Sequence, residues 1–157
     1  MSCTTEAPSE TFELSIERLI DAPVSAVWKA YTDHLNEWFC PRPWRAEVQV
    51  MDLRAGGRSS LTMYGPDGEI MPNEGVYLEV VPERRIVFTD AFQSDWKPAG
   101  PFMVGLFEYE PQGRKTLFRG TARHWTRDAC DQHKAMGFEE GWSKVAEQLE
   151  EVARRLA

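Results

Sequence analysis

The sequence predicts an α+β fold in which a curved antiparallel β-sheet of about six to seven strands wraps around one long C-terminal α-helix. Short segments of alternating apolar residues recur between residues 12 and 126, with turn signals between them, as in an antiparallel meander. The segment from residue 129 to 155 instead carries apolar side chains at helical spacing. No repeat or linker divides the chain. We therefore expect a flexible tail, residues 1–10, and a single domain, residues 11–157.

The domain is predicted to open with a strand and two short helices. Residues 12–20 alternate apolar and polar side chains, which is typical of a half-buried strand. Pro23 suits the first turn of a helix, because its missing N–H would have no partner there. Asp33 can cap a second short helix that carries Leu35 and Trp38 on one side. The first helix has one apolar face, formed by Val24, Val27, Trp28 and Tyr31.

Further strands follow, separated by turn residues. Pro66-Asp67-Gly68 and Pro111-Gln112-Gly113 are typical of hairpin turns. A longer loop, residues 93–100, carries Trp96. The predicted strands are residues 44–53, 58–64, 75–81, 86–92, 102–110 and 116–126.

The C-terminal segment is predicted to be one helix. Asp128 is a good N-cap for a helix of roughly residues 129–155, which would be about 40 Å long at 1.5 Å per residue. Its apolar stripe must lie against an apolar surface of similar length, and the curved sheet is the candidate. A helix gripped by a sheet leaves a cavity between the two, which is a common place for a small-molecule pocket. The stripe consists of Phe138, Trp142, Val145, Leu149, Val152 and Leu156.

Composition and charge exclude several classes of function. The net charge of −7 argues against a nucleic-acid or anionic-membrane surface, because both need a basic patch. No apolar run is long enough to span a bilayer, and the N-terminus lacks the features of a signal peptide. Cys3, Cys40 and Cys130 are far apart, which argues against disulfides and a structural zinc site and favours the cytoplasm. We expect no metal and no cofactor.

A series of segments carries a family resemblance. Among them are DAPVSAVWKAYTD, DLRAGGRSSLTMYGPDG, GVYLEVVPERRIVFTDAF and HKAMGFEEGW, and together they cover about residues 12–155. In this order they resemble the family of activator-of-heat-shock-protein-90-ATPase homologues, within the START-like (SRPBCC) superfamily. The resemblance implies a helix-grip fold, in which a curved sheet surrounds the C-terminal helix. The superfamily includes carriers of hydrophobic ligands, aromatase/cyclases and ligand-sensing receptors.

The segment EWFCPRPW, residues 37–44, resembles the W-W-G-P segment of that family, with Phe39 and Cys40 replacing its second Trp and its Gly. Two prolines keep it out of helix and strand, so its aromatic rings lie on a loop. We expect this loop to form the rim of the cavity, with Trp38 and Phe39 turned inward. The alternative is that the rings only plug the end of the core. Cys40 is either a reactive thiol at the cavity mouth or, as we favour, an inert one in apolar surroundings.

Two residues are weak candidates for acid–base catalysis. Asp90 lies between Phe88 and Phe92 on one strand face, so it needs a partner if that face is buried. That partner is either a ligand or His124, or else the backbone or an arginine. His124 shares its strand face with small neutral residues. It either serves a ligand as donor or general base, or is a satisfied buried histidine, which we favour.

Two glycines, Gly137 and Gly141, lie four residues apart on the predicted C-terminal helix and hence on one face. Each costs about 1 kcal/mol relative to alanine in a helix. We expect that they either make room for a ligand or let the helix pack closely on a strand, and we favour close packing. The candidate ligand-binding residues are Trp38, Phe39, Cys40, Trp44, Phe88, Asp90, Phe92, Trp96, Phe102, His124, Met136, Gly137 and Gly141.

These features favour binding of a small hydrophobic or aromatic molecule, in a carrier, sensor or storage role. One alternative is an enzyme of the polyketide cyclase/aromatase type that uses Asp90 and His124, although we favour a non-enzymatic role. Another is a co-chaperone that stimulates a chaperone ATPase. We do not expect a chaperone partner, because the family is named after a two-domain protein and this chain has one domain. The sequence leaves a homodimer open.

Overall fold

A computed structural model describes residues 11–157, and the predicted tail of residues 1–10 lies outside them. The chain begins with strand β1 (Phe12–Ile20), helix α1 (Val24–His34) and a 3-10 turn (Leu35–Glu37). Four strands follow: β2 (Arg45–Met51), β3 (Arg58–Tyr64), β4 (Ile70–Val81) and β5 (Arg85–Thr89). A small hairpin of β6 (Phe92–Gln93) and β7 (Lys97–Pro98) leads to β8 (Val104–Gln112) and β9 (Lys115–His124). The last elements are helices α2 (Arg127–Ala135) and α3 (Phe138–Leu156).

Seven of these strands form one antiparallel sheet in the order β1-β9-β8-β5-β4-β3-β2. The predicted α+β fold, a curved antiparallel sheet with a C-terminal helix, is confirmed. Strand β1 pairs with β9 along its whole length, from Phe12 opposite His124 to Ile20 opposite Thr116. Register shifts in β2 and in β4 mark bulges, which bend and twist a sheet locally.

The structure differs from three details of the predicted helices. The C-terminal segment forms two helices rather than one, because Gly137 adopts a left-handed φ of 94° between α2 and α3. Thr126, not Asp128, caps α2, since its side-chain oxygen accepts a hydrogen bond from the Ala129 N–H at 3.1 Å. The second short helix after β1 is only the 3-10 turn, and Asp33 lies inside α1.

The core lies between the concave face of the sheet, α1 and α3. Phe107 on β8 is its centre, and burial of such a large apolar side chain stabilises the fold by roughly 1.5–3 kcal/mol. Trp142 of α3 packs directly on β9 because Gly120 has no side chain: a Cβ at residue 120 would lie 3.1 Å from the Trp142 ring. The rings in contact with Phe107 belong to Tyr31, Trp38, Phe88, Phe118 and Trp142.

Candidate functional site

An apolar cavity of about 110 Å³ lies on the concave face of the sheet, where β3, β4 and β5 run side by side. The strands form its floor, while the loop after α1 and the segment before β8 form its sides. The cavity is partly open to solvent, and most of its surface is apolar. The apolar side chains in its wall are Phe39, Leu61, Phe88, Phe102 and Met103.

The register of the strands brings these side chains together. Leu61 on β3 lies opposite Asn73 on β4, and both line the cavity. Phe88 on β5 lies opposite Gly105 on β8, where a Cβ would be 2.3 Å from the Phe88 ring. A glycine is therefore required at residue 105 for Phe88 to lie over β8, and this position of the ring fixes one wall of the cavity.

Asp90 lies in the cavity wall at the end of β5. Its carboxylate accepts hydrogen bonds from the Phe102 N–H, at 2.8 and 3.0 Å, and from the Met103 N–H at 3.2 Å. These bonds attach the segment before β8 to the end of β5 and so hold two other wall residues in place. Of the partners considered for Asp90 from the sequence, the structure shows the backbone. In residues 11–157, no hydrogen bond joins Asp90 to His124.

Glu74 is a second acidic residue among the lining residues, but the register puts its side chain on the other face of the strand from Leu61 and Asn73. It accepts hydrogen bonds from the Arg58 guanidinium, at 2.9 and 3.2 Å, and from the Ser60 hydroxyl at 2.5 Å. The hydrogen bond from Arg58 is the main cause that lowers the pKa of Glu74, and burial opposes it. The negative charge of Glu74 is therefore compensated by Arg58.

A chain of hydroxyl groups runs from the cavity into the core. Ser59 lines the cavity beside Tyr77, whose hydroxyl lies 3.2 Å from that of Tyr31. Burial raises the pKa of Tyr31 and of Tyr77, so both phenols are neutral at physiological pH. Ser59 and Asn73 thus give the apolar cavity uncharged polar groups that can orient a ligand.

His124 is buried on β9 but bonds to protein groups outside the cavity. Its Nδ1 lies 3.1 Å from the Phe12 carbonyl oxygen, and its Nε2 lies 2.9 Å from Nδ1 of His133 on α2. Because a carbonyl only accepts, we assign the His124 proton to Nδ1, and His133 then donates to His124 Nε2. His124 is therefore a buried histidine whose hydrogen bonds are satisfied within the protein, rather than a group that faces a ligand.

The loop of residues 37–44 has two roles. Trp38 is fully buried in the core and donates its Nε1–H to the Ala30 carbonyl at 2.8 Å, while Phe39 lines the cavity. Trp38 therefore fills the end of the core, and Phe39 forms part of the cavity wall. Cys40 is buried, and burial raises its pKa to about 11, which agrees with the inert alternative for its thiol.

Gln148 of α3, which our sequence reasoning missed, anchors this loop. Its side-chain N–H groups donate to the carbonyls of Trp38, at 3.1 Å, and Cys40, at 2.7 Å. Its oxygen accepts from the Arg42 N–H at 3.0 Å. The signal in the sequence is a glutamine placed one residue before Leu149 of the apolar stripe, where a fully buried polar side chain needs partners.

The structure brings four of the predicted ligand-binding residues together in the cavity: Phe39, Phe88, Asp90 and Phe102. It places the others elsewhere. Phe92 and Trp96 contact each other edge-on in the β6–β7 hairpin, with ring centroids 5.8 Å apart. Met136 and Gly137 form the break between α2 and α3. The residues that do not line this cavity are Trp38, Cys40, Trp44, Phe92, Trp96, His124, Met136, Gly137 and Gly141.

The location of the cavity differs from the predicted one between the C-terminal helix and the sheet. None of the described residues of α3 lines the cavity, because aromatic rings fill the space under that helix. Trp142 contacts Phe107 there, with ring centroids 6.0 Å apart. Sequence reasoning also missed the wall residues on β3 and β4, since their alternation predicts two faces but not which one is concave. Those residues include Ser59, Leu61, Asn73 and Gly75.

Neither a metal centre nor a membrane-spanning helix is found in the described part of the chain. Across residues 11–157, no three His, Cys, Asp or Glu side chains are grouped so that they could hold a metal ion. No helix in this range is long and apolar enough to cross a membrane.

A curved antiparallel sheet that grips a C-terminal helix, with an apolar cavity on its concave face, defines the START-like class of domains, a fold typical of ligand binding. A family model described as "Activator of Hsp90 ATPase homolog 1-like protein" matches residues 21–154. The chain belongs to this family.

Solved structures of bacterial proteins resemble this chain over most of its length. A protein from Nitrosomonas europaea is 36% identical, with 95% of this chain and 97% of that chain covered and a TM-score of 0.88. A protein from Mycobacterium smegmatis is 26% identical, with 90% of each chain covered and a TM-score of 0.76. A third, from Arthrobacter aurescens, shares the fold at 23% identity, 97% and 91% coverage and a TM-score of 0.81. A search of curated proteins finds no match.

Proposed function

We propose that the protein binds a small, mostly apolar molecule in the cavity on the concave face of the sheet. The observation that carries this proposal is the mostly apolar wall of a partly open cavity in a domain whose core is otherwise filled by aromatic rings. Three rings converge on it, those of Phe39, Phe88 and Phe102. The two uncharged polar groups at Ser59 and Asn73 would orient the ligand.

The volume of the cavity limits the size of the ligand. Small-molecule sites usually measure about 300–1,000 Å³, whereas an engineered apolar cavity of about 150 Å³ holds benzene. A cavity of about 110 Å³ is smaller than that, so it suits at most one ring, with the rest of the molecule projecting through the open side. This size fits a carrier, sensor or storage role for a small aromatic compound.

The proposal can be tested by two-dimensional NMR with a panel of single-ring and short-chain apolar compounds. We expect saturable shift changes that cluster around Leu61, Phe88 and Met103. A Met103→Trp substitution should fill the cavity and abolish these changes. Met136→Trp is the matched control, because residue 136 is exposed and lies outside the cavity wall.

Thermal unfolding of both variants establishes that they are folded. If no compound shifts the cavity residues, or if Met103→Trp binds as well as the Met136→Trp control, the cavity is not a ligand site.

A further inference from the structure

We infer that the cavity prefers a ligand with a cationic head group, an organic ammonium joined to a single apolar ring. This inference rests on the proposed function, since it specifies the chemical class of ligand for the same cavity. It follows from the charges and rings in the cavity wall.

The ionisable groups in the wall are acidic. Glu74 and Asp90 line the cavity, and its described lining residues include no Lys, Arg or His. The two carboxylates differ in their partners. Arg58 compensates the charge of Glu74, so this group offers little attraction to a ligand.

Asp90 carries an uncompensated charge. Its hydrogen-bond donors are backbone N–H groups of Phe102 and Met103, and no ion pair of Asp90 is found within residues 11–157. Backbone N–H groups carry no net charge, so they do not neutralise a carboxylate. A carboxylate has about four acceptor positions, so Asp90 can still accept a hydrogen bond from a ligand. An ammonium group would supply both the donor and the missing positive charge.

The rings around Asp90 favour the same head group. Phe39, Phe88 and Phe102 present aromatic surfaces in the cavity wall, and a cation within about 6 Å of such a ring is attracted by its quadrupole. The net charge of −7 attracts cations and repels anions at longer range. A carboxylate ligand would instead meet Asp90 without a lysine or arginine to neutralise it.

Three probes with the same ring test the inference: benzylamine, benzyl alcohol and benzoate, which are cationic, neutral and anionic at neutral pH. NMR titrations at low salt give the affinity of each. We expect benzylamine to bind about tenfold more tightly than benzyl alcohol, as one charge-assisted hydrogen bond implies. Benzoate should give no saturable shifts at the cavity. Added salt should weaken the binding of benzylamine only.

The Asp90→Asn variant removes the charge and keeps an oxygen that can accept from the backbone. It should lose the preference for benzylamine over benzyl alcohol. Glu110→Gln is the control, because it makes the same charge change at an exposed residue of β8 outside the cavity wall. This control should keep the preference.

The outcomes separate this inference from the proposed function. If benzyl alcohol binds as tightly as benzylamine, or benzoate binds best, the inference is wrong and the proposed ligand site stands. A preference for benzylamine that survives in Asp90→Asn also overturns the assignment to Asp90. If none of the three probes shifts the cavity residues, both the inference and a single-ring ligand are excluded.

Discussion

The two buried imidazoles, His124 and His133, lie in apolar surroundings. Phe102, Phe138 and Trp142 face the His133 ring, with centroids 4.8, 5.1 and 6.2 Å away, and His124 is the titratable group in contact with it. Burial, and to a lesser degree His124, lowers the pKa of His133 to about 4. A charged imidazole is therefore disfavoured in the folded protein.

This pKa predicts acid sensitivity with a defined pH window. An unfolded histidine has a pKa near 6.5, so below that pH the unfolded state binds a proton more readily than the folded state. His133 should thus reduce the free energy of unfolding as the pH falls from about 6.5 to about 4, by at most about 3 kcal/mol. Urea unfolding at several pH values measures this loss.

The matched control for this prediction is His133→Asn, which keeps an N–H donor for His124 but does not titrate. Groups elsewhere titrate equally in both proteins and cancel in the difference. The variant should lose less stability than the wild type over this pH window. Parallel pH curves for the two proteins would show that His133 does not contribute.

Two elements, the loop after α1 and helix α3, are joined by Gln148. Three backbone groups of the loop depend on this one side chain, and the loop supplies Phe39 to the cavity wall. The contact therefore couples the packing of α3 to the shape of a cavity that α3 does not line.

Replacing Gln148 by Met keeps the size of the side chain and removes all three hydrogen bonds. We expect a loss of about 3 kcal/mol, because buried groups left without partners cost about 1–3 kcal/mol each. Hydrogen exchange at the Arg42 N–H should also become faster. Glu147→Met, at the neighbouring exposed position, should change stability by less than about 0.5 kcal/mol. Equal losses in both variants would argue against this role of Gln148.

Alanine substitutions of Gly137 and Gly141 should have opposite effects on the stability of the protein. Gly137 has a left-handed φ, so Gly137→Ala should destabilise the protein by about 1–2 kcal/mol. Gly141 lies inside α3, and a Cβ there would meet no atom within 4 Å, so Gly141→Ala should stabilise it by about 0.5–1 kcal/mol. Denaturant unfolding of both variants measures the two signs. A loss in both would mean that residue 141 is more crowded than its surroundings indicate.

For the molecule as a whole, alternation and helical spacing predict the order of the elements and the seven-stranded sheet. They do not predict where the cavity lies. The break at Gly137 leaves α3 with 19 residues, about 29 Å rather than about 40 Å, so the helix spans less of the sheet than expected. The uncovered strands β3 to β5 carry the cavity. The hydrogen-bond partners of Asp90 and Gln148 could not be predicted either, because spacing along the chain does not reveal contacts across a loop.

The pairing of β1 with β9 has a consequence for how the protein folds. The partner of Phe12 is His124, so the first strand stays unpaired until β9 has been synthesised. Contacts between such distant residues carry a large loop-closure entropy and slow the folding of a domain. We expect the sheet to close late in folding, with β1 as the strand that is exposed longest to aggregation.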